Sequence, residues 1–131
     1  QHDIDILDDH RISIFNNNAI AILDGDEVDD NNEIVIYDFN KDSYSKYLDE
    51  SLEQYDVRTE SQGRGKILEN GDLFIEETNY GRLLYFNKDK SLQWQYVNRA
   101  DDENVYYVIW SRILSKPEDI KKVRNIIKTE N

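Results

Sequence analysis

Residues 67–97, ILENGDLFIEETNYGRLLYFNKDKSLQWQYV, alternate apolar runs with turn-forming clusters, and that alternation decides the fold. The runs are Leu73-Phe74-Ile75, Leu83-Leu84-Tyr85-Phe86 and Leu92-Gln93-Trp94-Gln95-Tyr96-Val97. Branched and aromatic side chains suit a pleated, half-buried surface. Around them lie Glu69-Asn70-Gly71-Asp72, Thr78-Asn79-Tyr80-Gly81 and Asn87-Lys88-Asp89-Lys90, where glycine and asparagine supply the positive φ of tight hairpins. The stretch predicts an antiparallel meander. Four of the five glycines (Gly63, Gly65, Gly71 and Gly81) fall in it or just before it, which concentrates the turn chemistry here.

Upstream, Ile4, Ile6 and Leu7, then Ile12-Ser13-Ile14-Phe15, flank the polar Asp8-Asp9-His10-Arg11 and predict a hairpin. Asn16-Asn17-Asn18 ends its second strand, and a linker follows through Leu23. Asp24 to Asn32, DGDEVDDNN, reads as an acidic loop, and Glu33 to Phe39 as a further strand. Residues 40–62 are polar and tyrosine-rich. There Tyr44, Tyr47, Leu48, Leu52 and Tyr55 fit either strand or helix spacing, and the expectation is an edge strand followed by a loop. Downstream, Val105 to Leu114 (VYYVIWSRIL) is nearly all apolar, which predicts a central strand buried on both faces. Ser115-Lys116-Pro117-Glu118 reads as a capping box opening a helix to about Ile127, with Ile120, Val123 and Ile127 on a face that packs over a sheet end.

The meander has an echo. Phe39-Asn40-Lys41-Asp42 recurs as Phe86-Asn87-Lys88-Asp89, 47 positions later. Ile6-Leu7-Asp8-Asp9 matches Ile67-Leu68-Glu69-Asn70, and Ile12 and Ile14 fall on Leu73 and Ile75, all 61 positions later. The 14-residue difference places an insertion at about Asn18 to Asn31 of the first copy. Antiparallel repeats with a period in the forties indicate propeller blades rather than helical repeats. The expected fold is therefore mainly β: about two propeller-type blades, an extra strand and a short C-terminal helix. Residues 1–52 form the first blade with its acidic insertion, 53–98 the second, and 99–131 the closing strand and helix. Propellers close with about four to eight blades. Two open blades expose apolar faces and unpaired edges, so the chain is expected to be part of a larger propeller or to associate with copies of itself.

Composition excludes several functions. A net charge of −12 and a pI near 4.5 argue against nucleic-acid partners, which need a basic face to release counterions. Without cysteine, disulfides, thiolate chemistry and cysteine zinc sites are ruled out. No apolar run of about 18 residues exists, so no membrane insertion by a helix is expected. The chain starts at Gln1 and contains no methionine, which suggests a mature or excised piece whose targeting segment would lie upstream.

Gln1-His2-Asp3-Ile4-Asp5-Ile6-Leu7, followed by Arg11-Ile12-Ser13-Ile14-Phe15-Asn16-Asn17, resembles a segment of arylsulfotransferase-like propellers. Ser61-Gln62-Gly63-Arg64, Leu68-Glu69-Asn70-Gly71-Asp72-Leu73, Gly81-Arg82-Leu83 and the closing Trp94-Gln95-Tyr96-Val97 are similar to that family's blade pattern. The resemblance runs from Gln1 to about Arg112. It implies a six-bladed propeller that passes sulfuryl groups from phenolic sulfate esters to phenols through a histidine, without a sulfonucleotide donor and with no cofactor. It also implies a periplasmic or extracellular location. Imidazole is a good nucleophile near neutral pH, and guanidinium grips an oxyanion with a fork of donors. The resemblance makes His2 the candidate catalytic residue. The stretch before Ser61, where a second family histidine would be sought, reads Tyr55-Asp56-Val57-Arg58-Thr59-Glu60. That departure keeps a different class open, a non-catalytic propeller module binding a small molecule, glycan or protein.

Among the arginines, Arg64 and Arg58 are the candidate binding groups for a phenolic sulfate or other small anion. Arg64 stands between two glycines that let a ligand approach the backbone. Arg82 reads as structural, paired with an acidic neighbour. His10 belongs to a solvent-facing turn. The acidic loop at 24–33 departs from the calcium-loop template at Val28 and Asp29, so no metal site is assigned there. Trp94, Tyr96 and Trp110 are expected in the core before any role as ligand platforms.

Overall fold

A computed structural model describes residues 2–18, 20–23 and 26–129. It contains two four-stranded antiparallel meanders. The first sheet is built from β1 (His2–Ile6), β2 (Arg11–Asn16), β5 (Glu33–Asp38) and β6 (Ser43–Lys46), in that spatial order. The second is built from β7 (Arg64–Ile67), β8 (Leu73–Glu77), β9 (Arg82–Phe86) and β10 (Leu92–Val97). Between β2 and β5, β3 (Ile20–Leu23) and β4 (Asp26–Asp29) pair as a separate hairpin. The expected linker to Leu23 thus ends in a strand, and the middle of the expected acidic loop, Asp26–Asp29, is its partner. Asp24 and Gly25 lie outside the described residues. Without this hairpin the two sheets have the same order, with Ile12 and Ile14 in β2 and Leu73 and Ile75 in β8.

The core lies between the sheets. Phe15 and Ile34, paired across β2 and β5, come from the first sheet. Leu73 faces Phe86 and Ile75 faces Leu84 across β8 and β9 of the second. Leu48, Leu52 and Val57 close the core from the connection, where α1 (Asp49–Gln54) replaces the loop expected after the edge strand β6. The reason is the four-residue spacing of Leu48 and Leu52, which puts both on one side of a single turn. The same connection is tied down by Tyr47 Oη donating to the Gly71 carbonyl and Ser51 Oγ donating to the Lys90 carbonyl.

How closely the sheets approach is set by two glycines at the start of β7. A Cβ on Gly65 would stand 2.1 Å from Ile34 Cδ1 and 3.1 Å from the Phe15 ring. Gly63 has φ +82°, and a Cβ there would stand 2.5 Å from Thr59 and 2.7 Å from Phe15. The backbone of β7 therefore lies directly on the aromatic ring. Behind it, Asn32 and Thr59 are fully buried and bonded to each other. The Thr59 amide donates to Asn32 Oδ1 at 2.6 Å, and Asn32 Nδ2 donates to the Thr59 carbonyl at 3.0 Å.

Both outward faces leave large apolar side chains exposed. On the first sheet Ile4 pairs with Ile14 and Ile6 with Ile12, and Ile6 keeps 82% of its surface exposed. Phe39 and Tyr44 are exposed as well. On the second sheet Trp94 stacks on Tyr85 at 5.6 Å but remains 42% exposed, and Tyr96 is half exposed. These aromatics are on an outer face rather than in the core, contrary to the sequence expectation.

Two further expectations fail at the C-terminal end. Residues 105–114 run without a ladder partner, make one bridge from Val105 to Arg99, and leave Tyr106, Tyr107, Ile109 and Trp110 exposed. Hydrophobicity identified a segment suited to burial, yet nothing among the described residues covers it. The helix α2 (Pro117–Thr129) starts one residue later than a Ser115 capping box requires, with the amides of Asp119 and Ile120 donating to the Lys116 carbonyl. It buries no residue, so Val123 and Ile127 do not pack over a sheet end.

Replacing Gly65 with alanine forces a methyl into Ile34, which is itself packed in the core. Urea denaturation of Gly65→Ala is expected to show a loss of about 1–3 kcal/mol, the usual cost of overpacking. Unchanged stability would mean that the sheets can separate freely.

Candidate functional site at Arg64

The site begins with an irregularity in β1. Asp3 has φ +52°, and the β1–β2 register shifts between His2 and Ile4. Such a bulge re-aims a side chain. The Asp3 carboxylate reaches β7, accepting from the Gly65 amide at 3.2 Å and from Arg64 Nε at 3.3 Å. One step along, Lys66 Nζ stands 3.8 Å from the Asp5 carboxylate. The guanidinium of Arg64 lies over the Trp110 ring, 5.1 Å from its centre.

Trp110 and its neighbour are held by Glu76 on β8. This carboxylate is 2% exposed and accepts from the Trp110 amide at 3.2 Å, from the Ser111 amide and from Ser111 Oγ. A buried carboxylate is costly unless its lone pairs are satisfied, and these donors satisfy them. Two adjoining clefts result, both bordered by Asp3 and Arg64. One, of about 290 Å³, also has Lys66, Ser111 and Arg112 on its wall; the other, of about 380 Å³, is walled by Trp110, Ile109 and the Gly63 backbone. Three cations against one carboxylate make the first cleft suited to an anion, although the chain as a whole is strongly acidic.

Arg64 thus lies where the two clefts meet. His2 opens β1 opposite Phe15 and directly precedes Asp3; its side chain lies outside the described atoms. Arg58 lines neither cleft. Its guanidinium holds Asp56 at 2.5 Å, and its amide donates to Glu77 Oε1 at 2.8 Å. Arg82 is structural as expected. It pairs with the fully buried Glu77 and donates to the carbonyls of Tyr55 at 3.2 Å and Asp56 at 2.8 Å. Arg82→Met leaves Glu77 buried with only the Arg58 amide among the described residues. Denaturation should show a loss of about 3 kcal/mol, the lower end of the cost of breaking a buried pair.

His10 is in the β1–β2 turn, away from the clefts. Its Nδ1 is 2.7 Å from Asp9 Oδ1, and its amide donates to Asp8 Oδ1 at 3.1 Å. The hydrogen bond with Asp9 raises the imidazole above its ordinary 6.5, with Asp8 and Asp38 adding to the effect. Asp8 moves the other way, chiefly through its bond to Arg11. Asp8, Asp9 and His10 bring their ligand atoms within 4.8 Å of one another, but the group is a turn whose carboxylates already serve Arg11 and His10. A raised histidine contributes stability that is complete below its unfolded pKa and disappears as pH rises through the folded one. An NMR titration should therefore place His10 above 6.5, and Asp9→Asn should bring it back down.

Sequence reasoning missed the part played by Glu76. The available signal was a pair of glutamates, Glu76 and Glu77, directly following the apolar run Leu73-Phe74-Ile75. The contribution of Ser111 had no comparable signal.

A family model described as Arylsulfotransferase (ASST) matches residues 1–99. The chain belongs to the arylsulfotransferase family. No curated protein and no solved structure matches it. The matched span includes His2, Asp3, Arg64, Lys66 and Glu76, and it ends before Trp110 and Ser111.

Proposed function

We propose that the chain supplies two adjacent blades of an arylsulfotransferase-type propeller, and that its cleft receives the anionic end of a phenolic sulfate ester. The blades are residues 1–52 and 53–98, joined within α1, and residues 99–131 form the closing segment. Two apolar outward faces, one on each sheet, support the propeller reading, because such faces are covered when further blades stack on them. By the same reading the polypeptide works in the periplasm or outside the cell.

The observation that carries the site is the placement of Arg64. The Asp3 carboxylate fixes its guanidinium from one side and the Trp110 ring from another, beside Lys66, Arg112 and the Ser111 hydroxyl. A fixed guanidinium stabilises charge on a transferring group without reorganising during the reaction. In this reading an imidazole nitrogen of His2, which precedes Asp3 in the chain, bonds to the sulfur as the ester S–O bond breaks and the donor leaves as phenolate; the sulfuryl group then passes to the acceptor phenol oxygen, whose proton goes to the departed phenolate or to solvent.

The test is transfer from a nitrophenyl sulfate to phenol by the polypeptide containing this chain. His2→Ala should abolish transfer, and Arg64→Ala should lower kcat/KM by roughly 10²–10³-fold, the scale of losing one oxyanion donor. Full activity in both variants would overturn the assignment. One observation favours a second reading, a binding module without turnover. The chain has two histidines, and His10 lines neither cleft. Calorimetric binding of the nitrophenyl sulfate, lost in Arg64→Ala and without any transfer, would select it.

A further inference from the structure

The two clefts that share Arg64 differ in chemistry. Lys66, Ser111 and Arg112 add donors to the first, whereas Trp110, Ile109 and the Gly63 backbone form the wall of the second. Arg64 stands on the boundary between them. Its Nε donates to Asp3, and among the described residues no other acceptor bonds to the guanidinium, so its terminal amino groups remain available to an anion. The same guanidinium lies 5.1 Å from the centre of the Trp110 ring, which places the donor directly beside the indole.

Packing does not account for Trp110. It is 73% accessible even with the guanidinium over its ring. The other tryptophan, Trp94, stacks on Tyr85 on the outer face of the second sheet, where the propeller reading puts a further blade. Trp110 instead borders a cleft, with the half-exposed Ile109 beside it. The backbone beneath the ring is fixed. Its amide donates to Glu76 at 3.2 Å, and its φ of +64° is uncommon for a residue with a side chain. Both carboxylates that border this cleft are already engaged, Asp3 by Arg64 and the Gly65 amide, and Glu76 by Trp110 and Ser111. What is left for a guest is the indole, Ile109, Gln62 and backbone.

We infer that Trp110 is the platform for the aromatic ring of the ester, and that it makes the site select aryl over alkyl sulfates. The sulfate lies on Arg64 in the first cleft, and the ring lies against the indole and Ile109 in the second. In a phenolic sulfate a single oxygen separates sulfur from the ring, and the guanidinium is equally close to the indole, so one molecule reaches both. Aromatic pairs are held by their quadrupoles beyond the area they bury, which an alkyl group cannot match. The inference rests on the anion site proposed above and deepens it. Trp110 lies beyond residues 1–99, outside the span that the family model matches.

Calorimetry on the polypeptide containing this chain tests the inference, with phenyl sulfate as ligand and methyl sulfate measured by competition against it. Wild type should bind phenyl sulfate more tightly. Trp110→Ala should reduce the ratio of the two affinities by about tenfold, the scale of losing one aromatic contact. Trp110→Phe should keep most of the ratio. An unchanged ratio in Trp110→Ala, with both esters weakened alike, would overturn the inference and leave Trp110 as a support for Arg64. A wild type that does not distinguish the two esters would overturn it as well. Neither result counts against the anion site as long as Arg64→Ala abolishes binding. Failure of both esters to bind wild type would overturn the anion site, and the inference with it.

Discussion

Everything near the candidate site depends on how closely β7 lies against Phe15. Gly63 and Gly65 have no side chain to hold the strand away, so its backbone rests on the ring and on Ile34. That approach brings the Gly65 amide within reach of the Asp3 carboxylate, which is aimed at it by the bulge in β1. Arg64, between the two glycines, is thereby presented where the edge strands of both sheets meet. A wider separation would break the Asp3 contact and release the guanidinium. Packing in the core and geometry in the cleft are one constraint.

β8 carries the second constraint. It is buried on both faces, and its last residues, Glu76 and Glu77, point in opposite directions, as neighbours on a strand must. Glu77 faces the inner side and is matched by Arg82 and the Arg58 amide. Glu76 faces the outer side and is matched by Trp110 and Ser111. Each carboxylate has donors from a segment distant in sequence, so the two together fasten the α1–β7 connection and the tail to one strand.

The meanders were legible because strand spacing and turn chemistry are local. Asn70-Gly71, Asn79-Tyr80-Gly81 and the spacing of Leu73, Ile75, Leu84 and Phe86 sufficed, and the offsets of 61 and 47 residues located the inserted hairpin. What failed was long-range or finely balanced. The pair Leu48 and Leu52 suits a helical turn only once the core between two sheets exists to receive it. Hydrophobicity in 105–114 identified a segment suited to burial but not what would bury it. Of the site, the glycines beside Arg64 were the readable feature, whereas nothing in the sequence placed Arg58 outside both clefts and beside Asp56. The clasp of Ser111 on Glu76 spans 35 residues and left no periodic trace.

Phe15 and Glu76 hold equivalent places in their sheets, and the difference between them explains why the two joints are built differently. Against Phe15 the incoming strand must be glycine at the contact, because a ring fills the space and apolar packing rewards close approach. Against Glu76 the incoming segment can carry side chains, because what it must supply is donors. A serine provides both an amide and a hydroxyl there, and the tryptophan before it adds a second amide. The first joint is held by volume and the second by satisfying one buried charge. That is why an exposed aromatic such as Trp110, 73% accessible, can still be fixed in position. Its backbone is anchored while its ring stays free to form the wall on which Arg64 rests.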